Sequence, residues 1–280
     1  PDAERARERR RRDDAPLVHV PTQGCEERED VQRRPSAGLE LRPAVLLPRR
    51  GRGARDDRSE GTEEAAEMAA AEGINVEKVI VDDDVAVENS TWTIGKRGIA
   101  GTIFVHKIAG AKAEAGGSLS EVQGIAQKVV DNVASMGMAL APCTVPAAGK
   151  PSFELAEDEV EIGMGIHGEP GTHREKISSA DEITAHLMDK IFGNLTLNTG
   201  DEVAVLVNGL GATPLMELYI ANKKVAELLA AKGVKTVKTY VGNYMTSLEM
   251  AGFSVSILKV DEELKGLLFA TADTPAFVQK

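Results

Sequence analysis

The segment Gly163-Met-Gly-Ile-His-Gly-Glu-Pro-Gly171 sets a single imidazole among four glycines and a proline. Glycines beside His167 remove side chains, so a small ligand could approach both the ring and the backbone amides. A neutral imidazole is a nucleophile, and Glu169 or another acceptor could fix its tautomer. On residue type and spacing alone, His167 could be a nucleophile, a general base, a metal ligand or a plain loop histidine. His173 follows six residues later, which matches no recognised metal-ligand spacing, so a metal site is not expected.

Three further segments could carry chemistry. Cys143-Thr-Val-Pro-Ala-Ala-Gly-Lys-Pro-Ser-Phe153 holds two prolines and a glycine, which suits a rigid connection and a crossing between domains. Nothing nearby in sequence activates Cys143 as a thiolate, so a buried structural thiol is expected, and Lys150 should be solvated. Asn208-Gly-Leu-Gly-Ala-Thr-Pro214 lacks the third glycine of a dinucleotide fingerprint and the Gly-Lys-Ser/Thr of a phosphate-binding loop. It is expected to be a tight strand-to-helix turn with Pro214 at the helix start. Asp82, Asp83 and Asp84 are consecutive. Neighbouring carboxylates on an extended chain do not share a face, so a solvated loop is expected there rather than a cation site.

The elements that must position these loops alternate between helix and strand from Thr62 onward. Glu63–Glu72 reads as a helix with Gly73 where a C-terminal cap belongs. Val76–Val81 reads as a buried strand, and Lys96–Ala115 as a helix with apolar residues at Ile99, Ile103, Phe104 and Ile108. Ser118–Met136 opens with a capping box, Ser118 to Glu121. Met138–Leu140 and Glu159–Ile166 read as strands, Asp181–Phe192 as a helix, and Val203–Val207 as a strand. Pro214–Lys232 reads as a helix stopped by Gly233, followed by strands at Val237–Val241 and Phe253–Val260. Such alternation predicts an α/β fold. There is no internal repeat.

Composition divides the chain. Residues 1–60 carry 15 Arg and no Lys, whereas residues 61–280 carry 2 Arg and 16 Lys. The first piece lacks hydrophobic periodicity, and its apolar runs, such as Pro43–Pro48, are short and framed by proline. It buries too little apolar surface to offset its chain entropy, and is expected to be a disordered or out-of-frame segment. The remainder is expected to form two α/β domains, a partial one at 61–140 and one at 141–280 that carries His167. The whole chain has 280 residues, 42% hydrophobic, and a net charge of -11, which speaks against nucleic acid as a partner. No apolar run approaches a membrane span. Cys25 and Cys143 make no disulfide framework, and the N-terminus lacks the apolar core of a secretory signal, so a cytoplasmic location is expected.

Several segments together resemble one family. They are VIVDDDVAV (79–87), ALAPCTVPAAGKPSF (139–153), GMGIHGEPG (163–171), VNGLGATPLMELY (207–219), TSLEMAGFSVSILKVD (246–261) and DTPAF (273–277). In order and spacing they are similar to the K subunit of dihydroxyacetone kinase, over roughly the last 220 residues. The resemblance implies a two-domain architecture of the DhaK type with its first domain incomplete. It implies that His167 adds to the C2 carbonyl of dihydroxyacetone as a hemiaminal, a chemistry that excludes glycerol. The chain ends where that subunit usually ends, so the resemblance implies a substrate-binding subunit that holds no nucleotide. A partner L subunit would carry ADP and Mg and be recharged by a phosphoenolpyruvate-dependent phosphotransferase system. A homodimer is implied, with neither nucleic acid nor membrane as partner.

The family's Gly-Gly-Gly-Ser-Gly-His-Glu-Pro loop is absent. So is its Lys-Asn-Tyr-x-Gly-Asp segment with the acid–base Asp; Asp56 and Asp57 stand nearby but are not given that role. A defective copy is therefore expected. The alternatives are a dihydroxyacetone-sensing paralogue that acts as a transcriptional coactivator, and a structural remnant without a ligand.

Overall fold

Val203, Val205 and Val207 point to one face of a strand, and Ala204 and Leu206 to the other, and all five are buried. A strand apolar on both faces must lie between two covering layers. The structure, a computed structural model, has that arrangement and describes residues 44–46, 65–86, 96–166 and 171–280. The arginine-rich piece expected at 1–60 lies outside the described residues except for β1 (Ala44–Leu46), which pairs in parallel with β2 (Val76–Lys78).

The central sheet has six strands in the order β5 (His173–Lys176), β4 (Glu159–Ile162), β3 (Val133–Ala139), β8 (Gly252–Val260), β6 (Glu202–Gly209) and β7 (Lys235–Gly242). Only β6 and β7 are parallel; the other neighbours run antiparallel. On one face lie α3 (Ala180–Asn194) and α4 (Leu215–Ala231), which pack Leu187, Met188, Ile191, Val225 and Leu229 against Met136, Val205 and Ile257. On the other lie α1 (Thr102–Glu114), α2 (Leu119–Val130) and α5 (Glu262–Phe269), with Phe104, Ile108, Val129 and Leu268 against Leu206 and Leu258. The predicted α/β class is therefore observed. Strands from both sides of residue 140 share this sheet.

Most predicted elements are present, with altered bounds. Helix occupies 65–71, and Gly73 follows it at φ 78°, where a cap was expected. The capping box at Ser118 forms: its backbone N–H donates to Glu121 Oε2 (2.8 Å), and Glu121 N–H donates to Ser118 Oγ (3.4 Å). The helix it starts ends at Val130 rather than Met136. Val133–Met136 instead begins β3, because seven consecutive buried residues satisfy a central strand better than a half-exposed helix. Four short strands, β1, β5, β9 (Ala272–Asp273) and β10 (Val278–Gln279), together with α5, had no sequence counterpart. The terminal DTPAF segment is structural, since Phe277 stacks near Tyr240 (5.4 Å) and Tyr244 (6.0 Å).

The helix expected from Lys96 starts only at Thr102. Asp83 is the cause. Its carboxylate accepts Ile99 N–H (2.7 Å) and Gly101 N–H (2.8 Å), which holds the approach to the helix in a tight turn. Asp83 is 1% exposed and Asp84 fully buried, so the solvated acidic loop expected at 82–84 is wrong for both; only Asp82 faces solvent. Their backbone pairs with Ser135 along the edge of β3 that β4 leaves uncovered, through Val85 N–H to Ser135 O (2.9 Å) and Ser135 N–H to Asp83 O (2.7 Å). A carboxylate on the edge of a central sheet has no route to bulk water.

Burial raises the Asp83 carboxyl from its ordinary 3.8 to about 6, against the lowering pull of its hydrogen bonds from Ser135, Ile99 and Gly101. A raised folded-state value means that its contribution to stability is complete below 3.8 and fades as pH rises through about 6. Urea unfolding of the wild type and Asp83→Asn from about pH 4 to 7 should show the wild type losing about 3 kcal/mol relative to the variant. A difference that stays flat or grows with pH would contradict this.

Among the described residues, no helix is long and apolar enough to cross a membrane.

Candidate functional site

The motif loops gather where β3 and β6 end and β8 begins. The register places Ala139 opposite Gly252 and Gly209 opposite Phe253. In open α/β sheets the crevice beyond the carboxyl ends of strands is the usual ligand site. Here Ala139, Cys143, Met164, Leu210 and Met250 form one buried cluster, with Phe153 and Ile166 packed against it. Four separate loops are thus fastened together by a small apolar plug.

Each loop is also fixed by hydrogen bonds. Asn208, fully buried at the end of β6, donates to Met245 O (2.7 Å) and accepts Tyr244 N–H (2.9 Å) and Met245 N–H (2.8 Å). Thr213 Oγ1 donates to Gly252 O (2.7 Å) and accepts Gly252 N–H (2.8 Å). The segment 208–214 is the predicted strand-to-helix turn, and Pro214 caps α4, whose first residue is Leu215. Gly211 has φ 132°, and a side chain there would run into Leu248 O. Thr144 N–H donates to Glu249 Oε1 (2.6 Å), which joins the Cys143 segment to the loop before β8.

Cys143 is 2% exposed, as expected of a structural thiol, and its sulfur lies 3.5 Å from Ser247 Oγ and 3.6 Å from Ser152 Oγ. Lys150 is exposed, also as expected. The Cys143–Phe153 segment does not lead out of the sheet. It lies within the connection between β3 and β4, which are neighbours in the sheet.

His167 and residues 168–170 lie outside the described residues. Both ends of their loop are described. The entry is Gly163, at φ 77°, whose N–H donates to Gly137 O (2.7 Å). A Cβ at Gly163 would come within 2.7 Å of Ala86 Cβ, so the residue must be glycine on two counts. Met164 and Ile166 then carry the chain onto the apolar plug. The exit is Gly171 and Thr172. Gly171 N–H donates to Glu161 Oε1 (2.9 Å), whose other oxygen accepts Arg174 Nε (2.8 Å), and Thr172 N–H donates to Ile162 O (2.7 Å). The predicted strand Glu159–Ile166 stops at Ile162 because Gly163 turns the chain.

Arg97 holds the entry from beneath. It is 4% exposed; its Nε donates to Asp84 Oδ2 (2.7 Å) and its Nη2 to Gly163 O (2.6 Å). One guanidinium therefore links the acidic segment to the first residue of the histidine loop. Arg97 was not singled out in the sequence, and Asp84 was read only as part of a solvated loop. The available signal was that Arg97 is one of only two arginines after residue 60, where lysine serves every other cationic position. Arginine's planar fork suits a buried, multiply bonded site that lysine's single ammonium does not.

The chain belongs to the Dak1 domain family, whose model matches residues 61–276. Among its relatives is the dihydroxyacetone-binding subunit DhaK of a PTS-dependent dihydroxyacetone kinase of Listeria innocua, 55% identical over 201 residues. That alignment covers 72% of this chain and 61% of the relative, so the chain spans about three fifths of that relative's length. A solved structure described as a dihydroxyacetone kinase operon co-activator, Dha-DhaQ, superposes with a TM-score of 0.74 at 35% identity, over 83% of this chain and 71% of that one. The dihydroxyacetone kinase of C. freundii superposes with a TM-score of 0.71 at 30% identity, over 85% of this chain and 42% of that one.

Removing one partner of a buried ion pair strands the other charge, at about 3–5 kcal/mol. Arg97→Met should therefore lower the unfolding free energy by about that amount, and Arg97→Met/Asp84→Leu should recover much of the loss. Urea denaturation of the three proteins measures this cycle; additive losses would mean that the two residues act independently.

Proposed function

We propose that the chain binds dihydroxyacetone and holds it covalently on His167, as the substrate-binding part of a dihydroxyacetone kinase. The observation that carries the reading is the anchoring of the histidine loop. Arg97 and Gly137 fix its entry, Glu161 and Ile162 fix its exit, and Met164 and Ile166 just past the entry join the apolar plug at the end of the sheet. A nucleophile must be held close to its target geometry to gain from proximity, and fixed loop ends serve that need. The relatives named as a dihydroxyacetone-binding subunit and a dihydroxyacetone kinase support the substrate class.

The step is an addition. A ring nitrogen of His167 uses its lone pair to form a bond to C2, and the carbonyl π pair moves to oxygen. That oxygen takes a proton while the second ring nitrogen releases one. Glycerol has no carbonyl and cannot form the bond, so selection rests on chemistry rather than size. A partner L subunit carrying ADP and Mg, recharged by a phosphotransferase system, then supplies phosphate to a substrate hydroxyl and gives dihydroxyacetone phosphate. The chain itself binds no nucleotide and acts as a homodimer in the cytoplasm. Its residues 1–60 contain no Lys-Asn-Tyr-x-Gly-Asp segment. On this reading the chain is a binder with impaired turnover, because the segment that supplies the acid–base Asp in the family is missing from its sequence.

One observation favours a second reading. The similarity to the operon co-activator at 35% identity fits a chain that senses dihydroxyacetone and passes the signal to a transcription factor. Both readings need the covalent complex; only the kinase reading needs turnover with an L subunit.

Dihydroxyacetone labelled with carbon-13 at C2 tests the shared step. With the wild-type chain, part of the ketone signal should move into the region of saturated carbons bearing oxygen and nitrogen, and His167→Ala should leave it unmoved. The same signal with both proteins would remove His167 from the account.

A further inference from the structure

The strand that leaves the histidine loop carries a second group of ligating side chains. His173 and Glu175 are two residues apart on β5 and so project from the same side. His186, on α3, faces them, with its ring centroid 5.7 Å from that of His173. His173 Nε2 lies 3.4 Å from Glu175 Oε2, and His186 Nδ1 lies 3.4 Å from Glu175 Oε1. One ligand atom from each residue can be chosen so that all three lie within 4.8 Å of one another. Two donors bound to one zinc ion at about 2.0–2.1 Å, across a tetrahedral angle, are themselves about 3.4 Å apart. The group is partly solvent-exposed, which leaves room for water to complete the coordination.

Thr172 Oγ1 lies 2.9 Å from His173 Nδ1, and His173 Nε2 faces the Glu175 carboxylate at 3.4 Å. With an ion on Nε2, Nδ1–H would donate to Thr172 Oγ1. A ligating histidine whose other N–H is held by a fixed acceptor is the usual arrangement at metal centres.

We propose that His173, Glu175 and His186 form a site for a divalent transition-metal ion of the zinc class. Two imidazoles and a carboxylate suit zinc and its neighbours better than the hard ions calcium and magnesium. His173 directly follows Gly171 and Thr172, which close the loop that carries His167. A bound ion therefore ties the exit of that loop to α3. The spacing of His167 and His173 gave no metal signal. The ligands come instead from a strand and a helix that tertiary packing brings together.

The full chain, stripped with a chelator and titrated with zinc chloride by calorimetry, should bind one ion. His173→Ala and His186→Ala should each lose roughly tenfold or more in affinity. His19→Ala/Cys25→Ala should bind as the wild type does. All variants should melt at the wild-type temperature in chelator, since the three ligands are at the surface. A second measurement needs no substitution: cobalt bound to the wild-type chain should give the visible bands of four-coordinate nitrogen and oxygen ligation, with no thiolate charge-transfer band. No zinc uptake by the wild type, unchanged affinity in both histidine variants, or a thiolate band would overturn the proposal.

Discussion

The site depends on a single buried contact, the guanidinium of Arg97 between the Asp84 carboxylate and the Gly163 carbonyl. Both side chains are almost wholly removed from water. Burying an ion pair is expensive, and its attraction offsets that cost only when geometry is good and remaining donors are satisfied. Arg97 meets the condition by adding a hydrogen bond to the entry residue of the histidine loop. The segment 83–85 adds a backbone pairing with Ser135 on the edge of β3, and Asp83 fixes the turn that starts α1. A change in the acidic segment is therefore felt at once in the sheet, the helix layer and the loop.

The remaining loops hang on the same end of the sheet by two buried polar residues and a plug of five apolar ones. Asn208 pairs with the backbone of Tyr244 and Met245 in the loop after β7, and Thr213 with that of Gly252 at the start of β8. The plug of Ala139, Cys143, Met164, Leu210 and Met250 joins segments far apart in sequence. This explains why a thiol without catalytic surroundings sits beside the site: Cys143 fills space there. It also separates two roles that are easily confused. The residues that hold the loops are buried and polar or apolar by turns, whereas the residue proposed to react, His167, belongs to the span they hold.

Local features were legible in the sequence. Capping at Ser118, the turn at 208–214, the apolar run of β6, the alternation in β8, and the burial of Cys143 each follow from a few neighbouring residues. Features set by distant partners were not. The aspartates at 83 and 84 look like a solvated loop until Ile99, Gly101 and Arg97 are known to face them. Val133–Met136 looks like the end of a helix until β8 is known to lie beside it. The histidine at 173 looks alone until α3 brings His186 to it. In each case a contact with a residue from another element overrides what the local sequence suggests. The histidine loop was legible as a motif, and the supports at its two ends were not.

The central claim is that an anchored loop presents His167 to a carbonyl, so that recognition depends on the ketone and not on the hydroxyls. Calorimetric titration of the full chain with dihydroxyacetone and, separately, with glycerol tests it most directly. The account predicts saturable binding of dihydroxyacetone, lost in His167→Ala, and no measurable binding of glycerol. Comparable affinity for the two ligands, or dihydroxyacetone binding that survives the substitution, would contradict it.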